Sequence, residues 1–253
     1  MTAELRTAVT GLLSLACVEE QALLAAAVVS PGSAAAGPDY RGGSPDTWAA
    51  VPLVAHNNEF KSQQAERIVA LRSGRVPPAF GEVDHASPEL YRRYSAQSAD
   101  EVMVGCRRVT TELIDGTWAL PDEDLLDPAR HPWLNGRLLW LQVVVRGFWH
   151  PTGHLGDYYL GHGQPERAIA MQAHALDTAR YLGAPAAVVG MAGYSLACAQ
   201  ARSGQPDEAA RTLAEAIGAN PELRAHASGD PDLAGLREAG AQPVAGGDTA
   251  TSR

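Results

Sequence analysis

Apolar residues return at helical spacing along most of the chain, in blocks separated by proline- and glycine-rich joints. That pattern limits the fold more than any other feature. Leu5, Val9, Leu12, Leu13 and Cys17 share one helical face, and Ser30-Pro31-Gly32 closes the block over residues 4–29. Residues 30–45 read as a loop. A second helix is predicted to start between Trp48 and Pro52 and to run through Val54, Phe60, Ile68 and Leu71 to Gly74. After a loop from Arg75 to Ala86, Ser87-Pro88-Glu89 reads as an N-cap, a first-turn proline and an acidic first turn. The third helix then carries Leu90, Tyr94, Val102, Cys106, Val109, Leu113 and Ile114. A polar connection over Gly116 to Pro132 leads to a fourth helix from about Leu134. Pro151 interrupts that helix, so a kink or a fresh start is expected near residues 147–151. Aromatics are only 6% of residues, with Ala and Leu supplying most of the apolar content, which favours packed helices over a β-sandwich.

The C-terminal part repeats itself. Gly163-Gln164-Pro165-Glu166-Arg167-Ala168 recurs as Gly204-Gln205-Pro206-Asp207-Glu208-Ala209, and Ala175 and Ala216 follow at matching places. With Leu155-Gly156 and Tyr159 ahead of the first copy, this resembles the tetratricopeptide repeat, in a degenerate form with an offset of 41 residues. So short an array needs a neighbour to cover its apolar faces. The expected organisation is a helical bundle over residues 1–163, a repeat-like helical extension over 164–240, and a disordered tail over 241–253.

Charge and cysteine usage exclude several functions. A net charge of −9 argues against a nucleic-acid binder, which would need a basic face. Of the 20 basic residues only Lys61 is a lysine. Cys17, Cys106 and Cys198 are far apart and form no CxxC, so a disulfide framework or thiolate metal site is not expected. The absence of an uninterrupted stretch of 18 apolar residues argues against a membrane span. The segment Gly11–Cys17 lacks a basic flank and reads as part of the first helix. These readings place the chain in the cytoplasm.

The chemistry lies in histidines. His150 and His154 are four apart, on one helical face. His56 is flanked by Leu53, Val54 and Ala55, so it faces inward, either as a ligand or as a hydrogen-bonded core residue. Inward ligands from different helices of a bundle can build a metal site. Three neutral imidazoles suit zinc first, with nickel or iron as alternatives, and leave a coordination position open. Nitrogens on one ion would lie about 3–3.5 Å apart, given bonds near 2.1 Å. Glu59 and Asp157 are near enough in sequence to orient a ligand or act as a base. Trp149 and Trp140 are expected to line a cleft opened by the kink, and a Cβ at Gly147 is expected to crowd Pro151.

The helix order, the apolar-flanked His56 after Trp48, and the His150-x-x-x-His154 motif resemble the DinB/YfiT-like four-helix bundles. The resemblance covers residues 1–162 and implies a metal triad at His56, His150 and His154. Pro151 and Gly153 depart from it, since they interrupt a helix that is continuous in that family. It implies metal-dependent chemistry on a small electrophilic or natural-product substrate, with a thiol such as mycothiol, or water, as nucleophile. A thiol transferase, an isomerase and a detoxifying hydrolase all fit. The rival readings are a non-enzymatic interaction module that binds a protein partner through its repeats, and a self-resistance protein that sequesters its ligand.

Overall fold

The computed structural model describes residues 3–29, 47–79 and 88–238, and every regular element among them is helical. The expected N-cap Ser87 and the expected tail at 241–253 lie outside the described residues. Helices α1 (Ala3–Val29), α2 (Ala50–Arg72) and α4 (Ala99–Ala119) pack on one another. Helix α3 (Pro88–Ser95) leans on α2, and the short α5 (Asp122–Leu126) follows α4. The fourth bundle element is α6 (Leu139–Val144), a π turn (Val145–Trp149) and α7 (His150–Gly161) in one run. Helices α8 (Pro165–Tyr181), α9 (Ala186–Arg202) and α10 (Pro206–Ala219) form the repeat. Helix α11 (Leu223–Gly229), a 3-10 turn at Pro231–Leu233 and α12 (Ala234–Glu238) close the described chain.

Three expectations are corrected by local chemistry. The third helix is not continuous: α3 and α4 are separate because Ser98 adopts extended backbone and forms a capping box with Glu101. The Ser98 hydroxyl accepts the Glu101 N–H at 3.2 Å, and the Glu101 carboxylate accepts the Ser98 N–H at 2.8 Å. Helix α4 also passes Gly116 and ends at Ala119. The Arg6 guanidinium donates to the carbonyls of Thr117, Trp118 and Leu120, placing a cation where the helix dipole favours one. The fourth helix does not start at Leu134. Pro132–Leu134 is a 3-10 turn, stopped by Asn135 in left-handed conformation at φ 51°, and α6 begins at Leu139.

Pro151 is absorbed by the π turn. The His150 N–H bonds to the Val145 carbonyl, five residues back, so the register widens just before the residue that has no N–H. The Thr152 hydroxyl donates to the Phe148 carbonyl at 2.9 Å and satisfies an acceptor inside that turn. Trp149 and His150 both keep right-handed helical backbone, so the run continues through the disturbance.

One apolar cluster joins Leu12 and Leu13 of α1, Leu113 of α4, Phe148 of the π turn, and Ala175, Val188 and Ala192 of the repeat, so the core crosses residue 163. By length and mean hydropathy of 1.5, α1 is apolar enough to cross a membrane, with 39% of that stretch buried against the chain. The expectation of no such helix rested on an uninterrupted apolar run, whereas an average tolerates a few charges.

The repeated hexapeptide is a repeated structure. Gly163 and Gly204 have φ of 70° and 77°, the left-handed region that glycine adopts freely. The Gln164 N–H bonds to Tyr159 O at 2.8 Å and the Gln205 N–H to Gln200 O at 3.0 Å. Pro165 and Pro206 then open their helices at the position where a missing N–H costs nothing. Ala168 and Ala209 are both fully buried one turn later.

Candidate metal centre

His56 sits in the first half of α2, 4% exposed, enclosed by the rings of Trp48, Phe60 and Tyr94 at centroid distances of 5.5, 4.9 and 6.0 Å. His150 and His154 project from the first turns of α7 with centroids 4.2 Å apart. Phe60 stacks on His150 at 3.8 Å and so fixes the plane of that ring from the helix that carries His56. The His56 ring lies 5.4 Å from His150 and 5.2 Å from His154. One nitrogen from each of the three lies within 4.8 Å of the others. That bound is wider than the spacing of about 3–3.5 Å expected on a bound ion.

Several of these nitrogens have no hydrogen-bond partner and could serve as metal ligands. His56 Nδ1, His150 Nε2 and both nitrogens of His154 are buried with no hydrogen-bond partner. Leaving a buried polar atom unpaired costs about 1–3 kcal/mol, and a cation satisfies imidazole lone pairs that nothing else reaches. Burial, reinforced by His154, holds His56 down to about 3. Burial also pushes His150 well below the usual histidine range, with His154 and His56 adding to it. Both rings are therefore neutral at pH 7, the protonation state that metal binding requires. The three side chains could hold a divalent ion, and the all-imidazole set fits one.

Of the two carboxylates expected nearby, one joins the site. Asp157 lies with Oδ2 3.9 Å from His154 Nδ1 and accepts a hydrogen bond from Arg202 at 2.5 Å. Glu59 does not join. One turn beyond His56, it faces a separate groove, ion-paired with Arg93 and accepting the Tyr94 hydroxyl at 2.9 Å. Its link to the histidines runs through the Tyr94 ring.

A cleft of about 400 Å³ opens between α7 and α9, floored by the segment after α11. His150, Gly153, His154 and Trp149 form one wall, Tyr194, Cys198 and Arg202 form the other, and Asp230 lies on the floor. The expected Trp149 lines it, with the indole N–H donating to Ser195 across the seam at 2.9 Å. The expected Trp140 does not: it is buried in the main core. A Cβ on Gly147 would meet Leu13 Cγ at 2.9 Å and Leu113, rather than Pro151, because the π turn directs this position at α1 and α4.

Sequence reasoning missed the far wall and its support. Gln172 reaches from α8 to the Thr152 carbonyl at 2.8 Å, over Gly156, whose absent side chain leaves the room. Its Oε1 is buried and unpartnered, and Gln172 is among the residues that line the cleft. Tyr194 donates to Asp230, 36 residues away, and no local pattern announces such a contact. Two other histidines are structural. His131 meets the Asp124 carbonyl at 3.1 Å, and His162 ends α7 against the Tyr158 carbonyl at 2.8 Å. Comparison with protein-family models, curated proteins and solved structures finds no match to this chain.

Proposed function

We propose that the chain is a metal-dependent enzyme of the DinB/YfiT-like superfamily with a tetratricopeptide-like extension. It acts on a small electrophilic or natural-product substrate with a thiol, such as mycothiol, or water as nucleophile. One observation carries the reading: nitrogens of His56, His150 and His154 gather within 4.8 Å, without hydrogen-bond partners, at the wall of a cleft of about 400 Å³. Zinc is the first choice for such a set, with nickel or iron as alternatives. When bound, the ion supplies Lewis acidity that favours the deprotonated nucleophile.

The rest falls to the chain. Arg202 fixes the Asp157 carboxylate on the cleft, where it can orient His154 or accept a proton from the nucleophile. Trp149 and Leu160 give the cleft apolar wall, which suits a small organic molecule.

The test uses protein purified without a His-tag, its metal content measured, and multiple-turnover assays with mycothiol and a chromogenic electrophile. Turnover that needs metal and is lost in His154→Ala supports the reading. Stoichiometric ligand binding without turnover supports sequestration instead. Protein that neither contains nor takes up a divalent metal overturns the enzyme.

A further inference from the structure

Helix α2 carries a second buried polar cluster just past the histidine it supplies. Lys61, the only lysine of the chain, is buried and ion-paired with Glu20 of α1. Cys106 of α4 has its sulfur 3.2 Å from the same Glu20 oxygen and 3.7 Å from Lys61 Nζ. Cys17, three residues before Glu20, brings its sulfur to 3.1 Å from that of Cys106. Gln21 Nε2 donates to Cys17 Sγ at 3.1 Å. The second oxygen of Glu20 is buried with no partner.

We propose that Cys17 and Cys106 are a peroxide-oxidisable dithiol, with Cys17 the attacking sulfur and Cys106 the resolving one, closing a reversible disulfide between α1 and α4. A disulfide needs sulfurs about 2.05 Å apart, so each moves by roughly 0.5 Å. The roles follow from position. Cys17 is 6% exposed and Cys106 is fully enclosed, so an oxidant reaches Cys17 first.

Electrostatics agree. The charged groups facing the pair are Glu20 from α1 and Lys61 from α2, with the Thr110 hydroxyl also turned to Cys17. The neighbouring Cys106 sulfur holds the Cys17 thiol below the ordinary range, against the opposing effect of burial, while Lys61 helps lower it. The same contact, with burial and Glu20, pushes Cys106 up. Cys198 makes the useful contrast: it is more exposed than Cys17, yet burial and Asp230 raise its thiol.

The chemistry balances in two steps. The Cys17 thiolate, its proton lost to solvent, attacks one peroxide oxygen. A sulfur–oxygen bond forms, the oxygen–oxygen bond breaks, and the departing hydroxide takes up a proton to become water. Cys106 then attacks the sulfenic sulfur. A sulfur–sulfur bond forms, the sulfur–oxygen bond breaks, and the Cys106 proton leaves with the hydroxide as a second water, with Glu20 placed to relay it. Two thiols lose two electrons and one hydrogen peroxide gains them.

The test treats the reduced full-length protein with equimolar hydrogen peroxide and follows intact mass and a non-reducing peptide map. Expected are loss of two hydrogens, a Cys17–Cys106 linked peptide reversed by dithiothreitol, and a Cys198 that reacts at least about tenfold more slowly. Cys106→Ser should leave a sulfenic acid at Cys17 that dimedone traps, and Cys17→Ser should leave Cys106 unoxidised. Oxidation of Cys198 ahead of the pair, or a linkage that includes Cys198, overturns the proposal. If a variant fails to fold, the wild-type peptide map decides alone.

Discussion

Helix α2 serves two buried polar clusters that solve the same problem in opposite ways. Around Lys61, charge meets charge: Glu20 pairs with the ammonium, and both thiols turn to the pair. Around His56, four ring nitrogens go without partners, and His150 and His154 border a cleft. Burial without compensation is costly, and these imidazoles could recover that cost by holding a divalent ion. The Lys61 cluster pairs its opposite charges internally, leaving one Glu20 oxygen unpartnered, whereas the histidine cluster has no opposite charge within it. Both draw on α2 within six residues of sequence, His56 to Lys61, so the difference lies in what the neighbouring helices bring.

Breaking the sealed cluster should have the largest effect. Lys61→Met leaves the buried Glu20 carboxylate without its cation, and should cost about 3–5 kcal/mol in denaturant unfolding. Glu20→Leu combined with Lys61→Met should regain most of that loss. A double variant as unstable as the single would show that packing, not charge pairing, holds this region.

Acid and alkali should then separate the two clusters. An unfolded histidine titrates near 6.5, while folded His56 is held at about 3. Between those values the unfolded chain binds more protons, so stability present above pH 6.5 is lost as pH falls toward 3. The slope for metal-free protein should be roughly 1.4 kcal/mol per pH unit for each such histidine. Lys61 behaves oppositely. Burial alone would lower its pKa, but Glu20 and Cys106 outweigh burial and raise it. Its contribution is whole below the unfolded lysine value and fades only as alkali titrates the folded ammonium. Stability curves against pH for wild type and His56→Leu check both signs.

Smaller changes probe the run that carries His150 and His154. Gly147→Ala forces a methyl against Leu13 and should cost about 1–3 kcal/mol, read by thermal unfolding. Gly153 has nothing within 4 Å of an added Cβ and lies on the cleft. Gly153→Leu should therefore leave stability unchanged or raise it by up to about 1 kcal/mol. The same change should weaken binding of a small thiol or electrophile about tenfold, by occupying the cleft. Equal affinity would place the ligand elsewhere.

The contrast between the clusters also explains what could be read from the sequence. His150 and His154 declare themselves by spacing, and His56 by its apolar flanks. The two glycine–glutamine–proline turns are legible because each is a local contract between a left-handed glycine and a first-turn proline. The capping box at Ser98 and Glu101 was equally local, but it lies inside a longer apolar period that reads as one helix. Glu59 shows the limit of spacing: one turn from His56 is near it, yet Arg93 and Tyr94 decide which way the carboxylate faces. The Lys61–Glu20 and Cys17–Cys106 contacts join residues 41 and 89 apart, and no local pattern encodes them. The one available sign was that Lys61 is the only lysine of the chain.

The most direct test of the account is a zinc titration of metal-free, tag-free protein, followed by thermal unfolding, in wild type and His154→Ala. Wild type should bind one ion per chain and gain about 2.7 kcal/mol when free zinc reaches a hundred times its dissociation constant, and His154→Ala should show neither. A wild-type protein whose unfolding is indifferent to zinc, nickel and iron, or a variant stabilised as much as wild type, would contradict it.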